Sequence, residues 1–238
     1  MSLPGPEALV AALDATWPAQ KVEERDGWYL RDGAGGGKRV SAVSPVGAGG
    51  DIALVEDWMR ALGQRPLFRL GPDDAALDAA LEERGYRVLD PTMIMVASVG
   101  LLAKKPPHVS LFDIWPPLAI MRDIWAEGGI TAPRLAVMER ASEPKSSLIA
   151  RIDDRAAGVG FVALHGSIAM LHAVEVAPGA RRKGVGGIML RGAAYWAQMQ
   201  GAGFLALAVT EANASARALY EGAGMEIVTR YHYREEKT

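Results

Sequence analysis

The sequence predicts an α+β fold, with strands and helices in layers, built as two tandem units. Three observations support this prediction. Helical patterns alternate with short apolar runs along the chain, a polar segment with two prolines divides it near the middle, and the same order of motifs occurs on both sides. The dividing segment is GLLAKKPPHVS (100–110), which is typical of a link between domains. We therefore expect one domain at 1–104 and a second at 105–238.

Composition limits the functions that the chain can have. Half of the 238 residues are hydrophobic, which is enough for a buried core. The net charge of −2 gives no general attraction to nucleic acid or anionic membranes. The absence of cysteine excludes disulfides, thiolate metal ligands and a cysteine nucleophile. With no signal peptide or bilayer-length apolar run in view, we expect a cytoplasmic monomer or homodimer without metal, nucleic acid or membrane.

The first half alternates strand and helix patterns. Two segments have apolar residues at helical spacing and reach a glycine that can end a helix: IALVEDWMRALG (52–63) and DDAALDAALEERGY (73–86). Four segments predict extended chain: WYLRDG (28–33), VSAV (40–43), LFRL (67–70) and RVLDPTMIMVASV (87–99).

The second half has a clearer pattern. IWPPLAIMRDIWAEGGI (114–130) predicts a helix from Pro116 onward. Residues 147–176 predict three consecutive strands, with DDR and HG as the hairpin turns. A helix at about 185–200, a strand at 204–209, a helix at 215–224 and a strand at 226–235 follow.

The two halves share the order proline, glycine-rich loop, helix with tryptophan, strand. If Trp58 is the counterpart of Trp196, Leu81 falls on Leu219, since each leucine lies 23 residues after its tryptophan. The first half has a loop about five residues shorter, without a basic triplet. We interpret this as an internal duplication whose first copy has lost an anion site.

The segment VAPGARRKGVGGIML (176–190) predicts an anion site. Three basic side chains, Arg181, Arg182 and Lys183, run directly into Gly184, Gly186 and Gly187. Gly184 and Gly186 let the backbone approach a ligand, and a helix beginning near Val185 directs its free N–H groups at the same point. A diphosphate is the most plausible anion, although neither the P-loop pattern nor the dinucleotide GxGxxG pattern is present.

Two motifs carry a resemblance to a known family. The run RRKGVG (181–186) matches the pattern [R/Q]-x-x-G-x-[G/A]. The run NASARALYEGAGM (213–225) is similar to N-x-x-A-x-x-L-Y-x-x-x-G-F, with Met225 in place of phenylalanine. Together they resemble the GCN5-related N-acetyltransferases (GNAT) over roughly residues 108–238. The first hundred residues look like a worn copy of the same fold.

The resemblance implies a fold and a co-substrate. The fold would be a mixed, mostly antiparallel sheet flanked by helices, and the co-substrate would be acetyl-CoA. In this family the loop before the helix cradles the pyrophosphate of acetyl-CoA. By position, that role falls on Arg181, Arg182, Lys183, Gly184, Val185, Gly186 and Gly187.

The resemblance also implies roles close to the thioester. The strand LHAVEV (171–176) would carry a bulge, and the main-chain groups of Val174 and Val176 would pair with the pantetheine arm. The N–H of Val174 could polarise the thioester carbonyl. Tyr220 would donate a proton to the departing thiolate, since a phenol stays protonated at neutral pH. Asn213 would cap the following helix and touch the pantetheine.

The general base has several candidates. His172 shares strand parity with Val174 and Val176 on a regular strand, so it would face the cofactor cleft. Glu175 is the rival, because a bulge could reverse its direction. Ordered water, or no dedicated base, also fits the sequence. Trp115, Met121 and Trp125 could bound the acceptor pocket, although such spacing is equally typical of a core helix.

The resulting functional prediction is direct transfer of an acetyl group from acetyl-CoA to a primary amine. The acceptor would be a small molecule or a peptide, and the classes left open are amino acids, aminoglycosides, polyamines, peptide N-termini and lysine side chains. One alternative is a non-catalytic acyl-CoA-binding sensor or interaction module, and another is a transferase for a longer acyl chain.

Overall fold

The computed structural model describes residues 2–237. Within them the helices are α1 (Pro6–Thr16), α2 (Lys38–Ser41), α3 (Ile52–Ala61), α4 (Ala75–Glu83), α5 (Val99–Leu102), α6 (Ala119–Glu127), α7 (Ala132–Arg140), α8 (Val185–Met199) and α9 (Ala214–Gly222). The strands are β1 (Lys21–Arg25), β2 (Trp28–Asp32), β3 (Ser44–Pro45), β4 (Leu67–Leu70), β5 (Tyr86–Ser98), β6 (Leu111–Ile114), β7 (Lys145–Ile152), β8 (Arg155–His165), β9 (Ile168–Val176), β10 (Phe204–Thr210) and β11 (Glu226–Glu236).

Most of the strands form one large sheet. Its order is β4-β11-β5-β10-β9-β8-β7-β6, and a small separate sheet has the order β1-β2-β3. In the described part of the large sheet, β9 and β10 are parallel while the other neighbours are antiparallel. The prediction of an α+β fold with a mixed, mostly antiparallel sheet is therefore confirmed.

Strands from the two halves of the chain alternate along one edge of the large sheet. Strand β5, from the first half, lies between β10 and β11 and pairs with both. Strand β11, from the end of the chain, pairs in turn with β4 of the first half. The large sheet is thus continuous across the expected boundary between residues 104 and 105, and that boundary stays a prediction.

Helices cover both faces of the large sheet. On one face, α5, α8 and α9 pack against alternate residues of β5, such as Met93 and Met95. On the other face, Ile94 and Val96 of the same strand pack with α1, α3 and α4. Helices α6 and α7 extend this second layer over β7 and β8. A strand that is buried on both sides must be apolar throughout, which explains the run MIMVA in β5.

Local sequence signals set several element ends. The side chain of Asp51 accepts a hydrogen bond from the N–H of Ala53 and caps α3, and Asn213 caps α9 in the same way through Ala216. Helices α3 and α4 end shortly before Gly63 and Gly85, whose positive φ angles of 67° and 85° suit a C-terminal glycine.

Two predicted elements differ from the structure. The segment 40–43, predicted as a strand, lies largely in the short helix α2, and only Val43 bridges a strand, through Phe68. Val40 is buried from the helix, whereas Ala42 and Val43 are buried after the helix ends, Val43 beside the strand that it bridges. The predicted helix 114–130 is shorter and is followed by α7. Gly128 and Gly129, the latter with φ +80°, end α6 before it can continue.

In the described part of the chain, no helix combines the length and the apolar character needed to cross a membrane.

Candidate active site

The parallel strands β9 and β10 separate partway along their length. Their pairing runs from Ile168 and Phe204 as far as Leu171 and Leu207, and no later pair forms among the described residues. A cavity of about 250 Å³ opens at this point. Its lining comes from the ends of both strands and from α9, and it includes Val174, Asn213 and Tyr220.

A bulge in β9 shapes one wall of this gap. His172 pairs with Phe161 of β8, but the next pair joins Glu175 to Val159, so β9 carries one extra residue there. Ala173 absorbs it with φ +49°. The indole Nε1 of Trp125 donates a hydrogen bond of 2.8 Å to the carbonyl oxygen of Ala173 and holds the bulge in place. Val174 thereby has no paired residue in β8, and it lies beyond the last pair with β10, where it lines the cavity.

The bulge corrects one sequence-based expectation. His172 and Glu175 lie opposite Phe161 and Val159, two residues that share a face of β8. Val174 packs instead on the side of α8. The shared strand parity, expected for a regular pleat, is therefore broken by the bulge, although His172 still lines the cavity in the strand gap as expected.

His172 is held on both ring nitrogens. The single hydroxyl proton of Thr16 goes to the carbonyl oxygen of Ala12 at 2.6 Å, so Nε2 of His172 donates to Thr16 Oγ1 at 2.8 Å. Nδ1 then accepts from Nη1 of Arg39 at 3.2 Å. Burial, together with the Arg39 charge, lowers the pKa of His172 well below its ordinary value. The imidazole is neutral, and its lone pair is already engaged.

Glu175 is also engaged. Its carboxylate lies 3.4 Å from Nη2 of Arg181, whose Nε donates to the carbonyl oxygen of Val176 at 3.2 Å. Arg181 thus folds back onto the end of β9. Glu175 does not line the cavity in the strand gap.

The loop after β9 ends in an open helix terminus. Gly184, at the N-cap of α8, has φ +83°, and an added Cβ would meet nothing within 4 Å. The first backbone hydrogen bond of α8 runs from the N–H of Ile188 to the carbonyl oxygen of Gly184. The N–H groups of Val185, Gly186 and Gly187 therefore have no acceptor within the helix. Arg181, Arg182 and Lys183 are exposed beside them. Free backbone donors therefore lie next to three exposed cationic residues at this helix terminus.

Gly186 was expected to let the backbone approach a ligand, but the structure gives it a packing role. A Cβ at this position would lie 2.8 Å from Cδ2 of Leu219. Gly186 therefore allows α8 to pack closely against α9, whereas Gly184 is the glycine that keeps the ligand side open.

Tyr220 and Asn213 face the gap from α9. Tyr220 is 8% exposed, and burial alone raises the pKa of its phenol to about 12. The phenol is therefore protonated at every physiological pH. Asn213 caps α9, as expected, and also lines the cavity.

A second cavity lies on the opposite side of the gap. Its volume is about 220 Å³, and it shares Arg39, Ala173, Ala208 and Thr210 with the first cavity. Its remaining wall includes Gly37 and Lys38 from the first half and Arg134 from α7. The two cavities thus adjoin where β9 and β10 separate.

The sequence analysis did not identify the first-half residues of this second cavity. Arg39 and Lys38 belong to no motif, and they reach the site only because the halves share one sheet. Trp115, Met121 and Trp125 line neither cavity. Met121 and Trp125 are fully buried, and Trp125 acts on the site by holding the bulge.

Comparisons with known proteins agree with this geometry. Residues 113–225 match the model of the Acetyltransferase (GNAT) family. The fold is similar to that of a GCN5-related N-acetyltransferase from Kribbella flavida, with a TM-score of 0.75, 14% identity, and 99% of this chain and 97% of that chain covered. A functionally unknown conserved protein from Staphylococcus epidermidis gives a TM-score of 0.69 at 11% identity, covering 94% and 97%. A search of curated proteins found no match.

A tandem GNAT protein from the clavulanic acid biosynthesis pathway is also similar, with a TM-score of 0.58 and 16% identity over 78% of this chain and 69% of that one. At such identities these structures show the fold alone.

The match to the family model covers just under half of the chain, identifies residues 113–225 as a unit of the GNAT acetyltransferase family, and supports an acyltransferase. Members of this family generally use acetyl-CoA, and the free backbone donors, the adjacent cations and the open strand gap suit such a molecule. Among residues 2–237 there is no group of three or more His, Asp or Glu side chains that could hold a metal ion.

Proposed function

We propose that this protein transfers an acetyl group from acetyl-CoA directly to the nitrogen of a primary amine. One observation carries the proposal: the strand gap joins a cavity with a buried, protonated tyrosine to a second cavity on the other face of the sheet. A thioester in the first cavity and an amine in the second would meet through the gap. The acceptor is a small molecule or a peptide.

Acetyl-CoA would bind from α8 to the bulge. Its pyrophosphate would take the N–H groups of Val185, Gly186 and Gly187, with Gly184 leaving the approach open. Arg181, Arg182 and Lys183 would supply positive charge, and Arg181 can leave Glu175 because their contact is solvent-exposed. The pantetheine arm would run along Val174 and Val176 as an added strand does, with Asn213 beside it.

The transfer can be written with the residues at the gap. The neutral amine attacks the thioester carbonyl carbon, and the N–H of Val174 stabilises the oxygen as negative charge develops. The C–S bond then breaks, and the thiolate takes the phenolic proton of Tyr220. The nitrogen loses its extra proton as the amide forms. The phenolate of Tyr220, which is costly when buried, regains a proton from water.

We propose that no side chain acts as a dedicated general base. His172 would have to release Arg39 before it could accept a proton, and Glu175 faces Arg181 outside the cavities. Water in the acceptor-side cavity would then take the proton from the amine. The fixed role of His172 is to join the two halves, by binding Thr16 and Arg39 of the first half.

We also propose that residues 1–104 are a degenerate copy of the catalytic unit at 105–238. In this proposal the first copy has lost its cofactor site and now completes the acceptor-side cavity.

Tyr220→Phe tests the transferase function. The variant keeps the buried ring and removes the proton donor, so acetyl-CoA affinity should change little. Turnover in a CoA-release assay should fall by about 10²–10⁴, mainly in kcat. Tyr195→Phe is the matched control, because Tyr195 lies on α8 beside a different surface groove, and it should keep full activity.

Full turnover by the Tyr220→Phe variant would remove this tyrosine from the mechanism. A wild-type protein that binds acetyl-CoA but acetylates none of a broad panel of amines would instead favour a sensor function.

A further inference from the structure

Arg39 stands at the point where the two cavities meet. It comes from α2 in the first half and lines both cavities. Its Nη1 donates to Nδ1 of His172, which is a neutral acceptor. Its Nε is buried and has no hydrogen-bond partner among residues 2–237. The guanidinium therefore has hydrogen-bonding capacity that the described chain does not use.

The charge of Arg39 is also unbalanced. Burial opposes its charged form and so does the cation of Arg69, but the phenols of Tyr231 and Tyr233 outweigh them and raise the pKa of Arg39. None of these is a carboxylate. Arg31 and Arg69, by contrast, share Asp14, at 2.9 and 2.6 Å. Arg39 is half-buried, and a partly desolvated cation without a carboxylate partner favours binding of an anion from outside the chain.

The rest of the acceptor-side cavity is positive as well. Lys38 is paired with Asp90 at 2.6 Å, which balances one charge. The Arg134 side chain lies across Gly37, with Nε 3.2 Å from the position that a Cβ would take there. Among the described residues that line this cavity, three are cationic, and one, Asp90, has a carboxylate. The cations are Lys38, Arg39 and Arg134. Such a field favours an anionic ligand and repels polycations such as polyamines and aminoglycosides.

We infer that the acceptor is a primary amine that also carries a carboxylate, as an amino acid does, and that Arg39 binds this carboxylate. The inference rests on the proposed N-acetyltransferase function. The guanidinium offers parallel donors to a carboxylate, and a cavity of about 220 Å³ accepts a molecule of amino-acid size. The positive surroundings also favour the neutral form of the amine, which is the form that attacks the thioester.

Matched pairs of acceptors test this inference. CoA release is measured with a panel of amino acids, each compared with its own primary amide, which has the same size but lacks the negative charge. At least one amino acid should exceed its amide in kcat/KM by about 10- to 100-fold, the usual effect of one charged hydrogen bond. Amides and acids that react equally would overturn the inference while leaving the proposed function intact.

Arg39→Gln should remove this preference, mainly by raising KM for the acid, so that the ratio of kcat/KM for acid and amide within the variant falls to about one. Arg39→Lys should keep part of the preference, because the charge remains. Arg155→Gln is the control, since Arg155 is exposed at the start of β8 and lines neither cavity. If Arg39→Gln does not fold, the wild-type comparison of acids with amides still decides whether a carboxylate is recognised, and Arg134→Gln, at an exposed position of the same cavity, should weaken the preference without removing it.

A binding measurement separates the two possible failures. If no amine is acetylated, the proposed function is contradicted, and calorimetry with N-acetylamino acids and their amides on CoA-saturated protein decides the inference. Tighter binding of the acids, lost in Arg39→Gln, supports it. Equal binding of acids and amides, or no binding of either, overturns it.

Discussion

The N-termini of α3 and α8 occupy corresponding places in the two halves and differ in how they are capped. At α3, the carboxylate of Asp51 accepts the N–H of Ala53 at 2.9 Å, and the indole of Trp28 donates to the carbonyl of Asp51. At α8, the N-cap is Gly184, which brings no side chain and lies open. One terminus carries its own anion, whereas the other has room for an external one. The capping residue is thus one difference, beside the shorter loop and the missing basic triplet, that bears on whether each terminus can hold a phosphate.

Helices α4 and α9 also differ in a residue that matters for the proposed chemistry. Each ends before a glycine with nearly the same φ, +85° at Gly85 and +86° at Gly224. Counted from the start of each helix, Leu81 and Tyr220 are both the seventh residue. This places Leu81 opposite Tyr220 and not opposite Leu219, one residue from the alignment that the sequence suggested. The first half therefore has a buried leucine where the second has a buried phenol.

The comparison shows that a similar element order can occur with and without the chemistry of the site. Val43 bridges Phe68 in parallel, as β9 runs parallel to β10, and β4 pairs with β11 as β10 pairs with β5. The pairing scheme is therefore kept in both halves, but the open helix terminus and the phenol occur together only in the second half of the described chain.

Gly184→Asp should have the largest effect on this difference. It places a carboxylate at the start of α8, as Asp51 does at α3, so it should repel the pyrophosphate. We expect acetyl-CoA affinity to fall by about 10²-fold or more, measured by calorimetry.

The control for this variant is Gly63→Asp. Gly63 also has a positive φ, of 67°, and open space around its Cβ position, so the control adds the same charge with the same backbone strain. Its affinity should match the wild type. Unchanged affinity in a folded Gly184→Asp protein would mean that the pyrophosphate binds elsewhere.

The titration of His172 should have a smaller effect, and this effect is on the stability of the fold. Its pKa is lowered in the folded state, so the unfolded chain binds more protons as the pH falls through about 6.5. The free energy of unfolding should therefore decrease between pH 7.5 and 5, by up to about 2 kcal/mol from this residue. Denaturant titrations of wild type and His172→Gln at both pH values measure this difference. A decrease of the same size in both proteins would show that His172 does not contribute.

The sequence predicted the second half better than the first, for a physical reason. Contiguous patterns, such as the triplet before Gly184, the strand–turn–strand segments and the capping residue Asn213, specify structure locally. The face that His172 presents depends on a one-residue bulge, held by Trp125 from a distant helix. The partners of Arg39 and His172 depend on long-range packing between the halves, which no local spacing encodes.

The number of acetyl-CoA molecules bound per chain tests the central claim most directly. If only the second half keeps an open helix terminus beside a strand gap, calorimetric titration should give one site per wild-type chain and no measurable site in Gly184→Asp. Two sites per chain, or one site that survives Gly184→Asp, would contradict the assignment of the cofactor to the gap between β9 and β10.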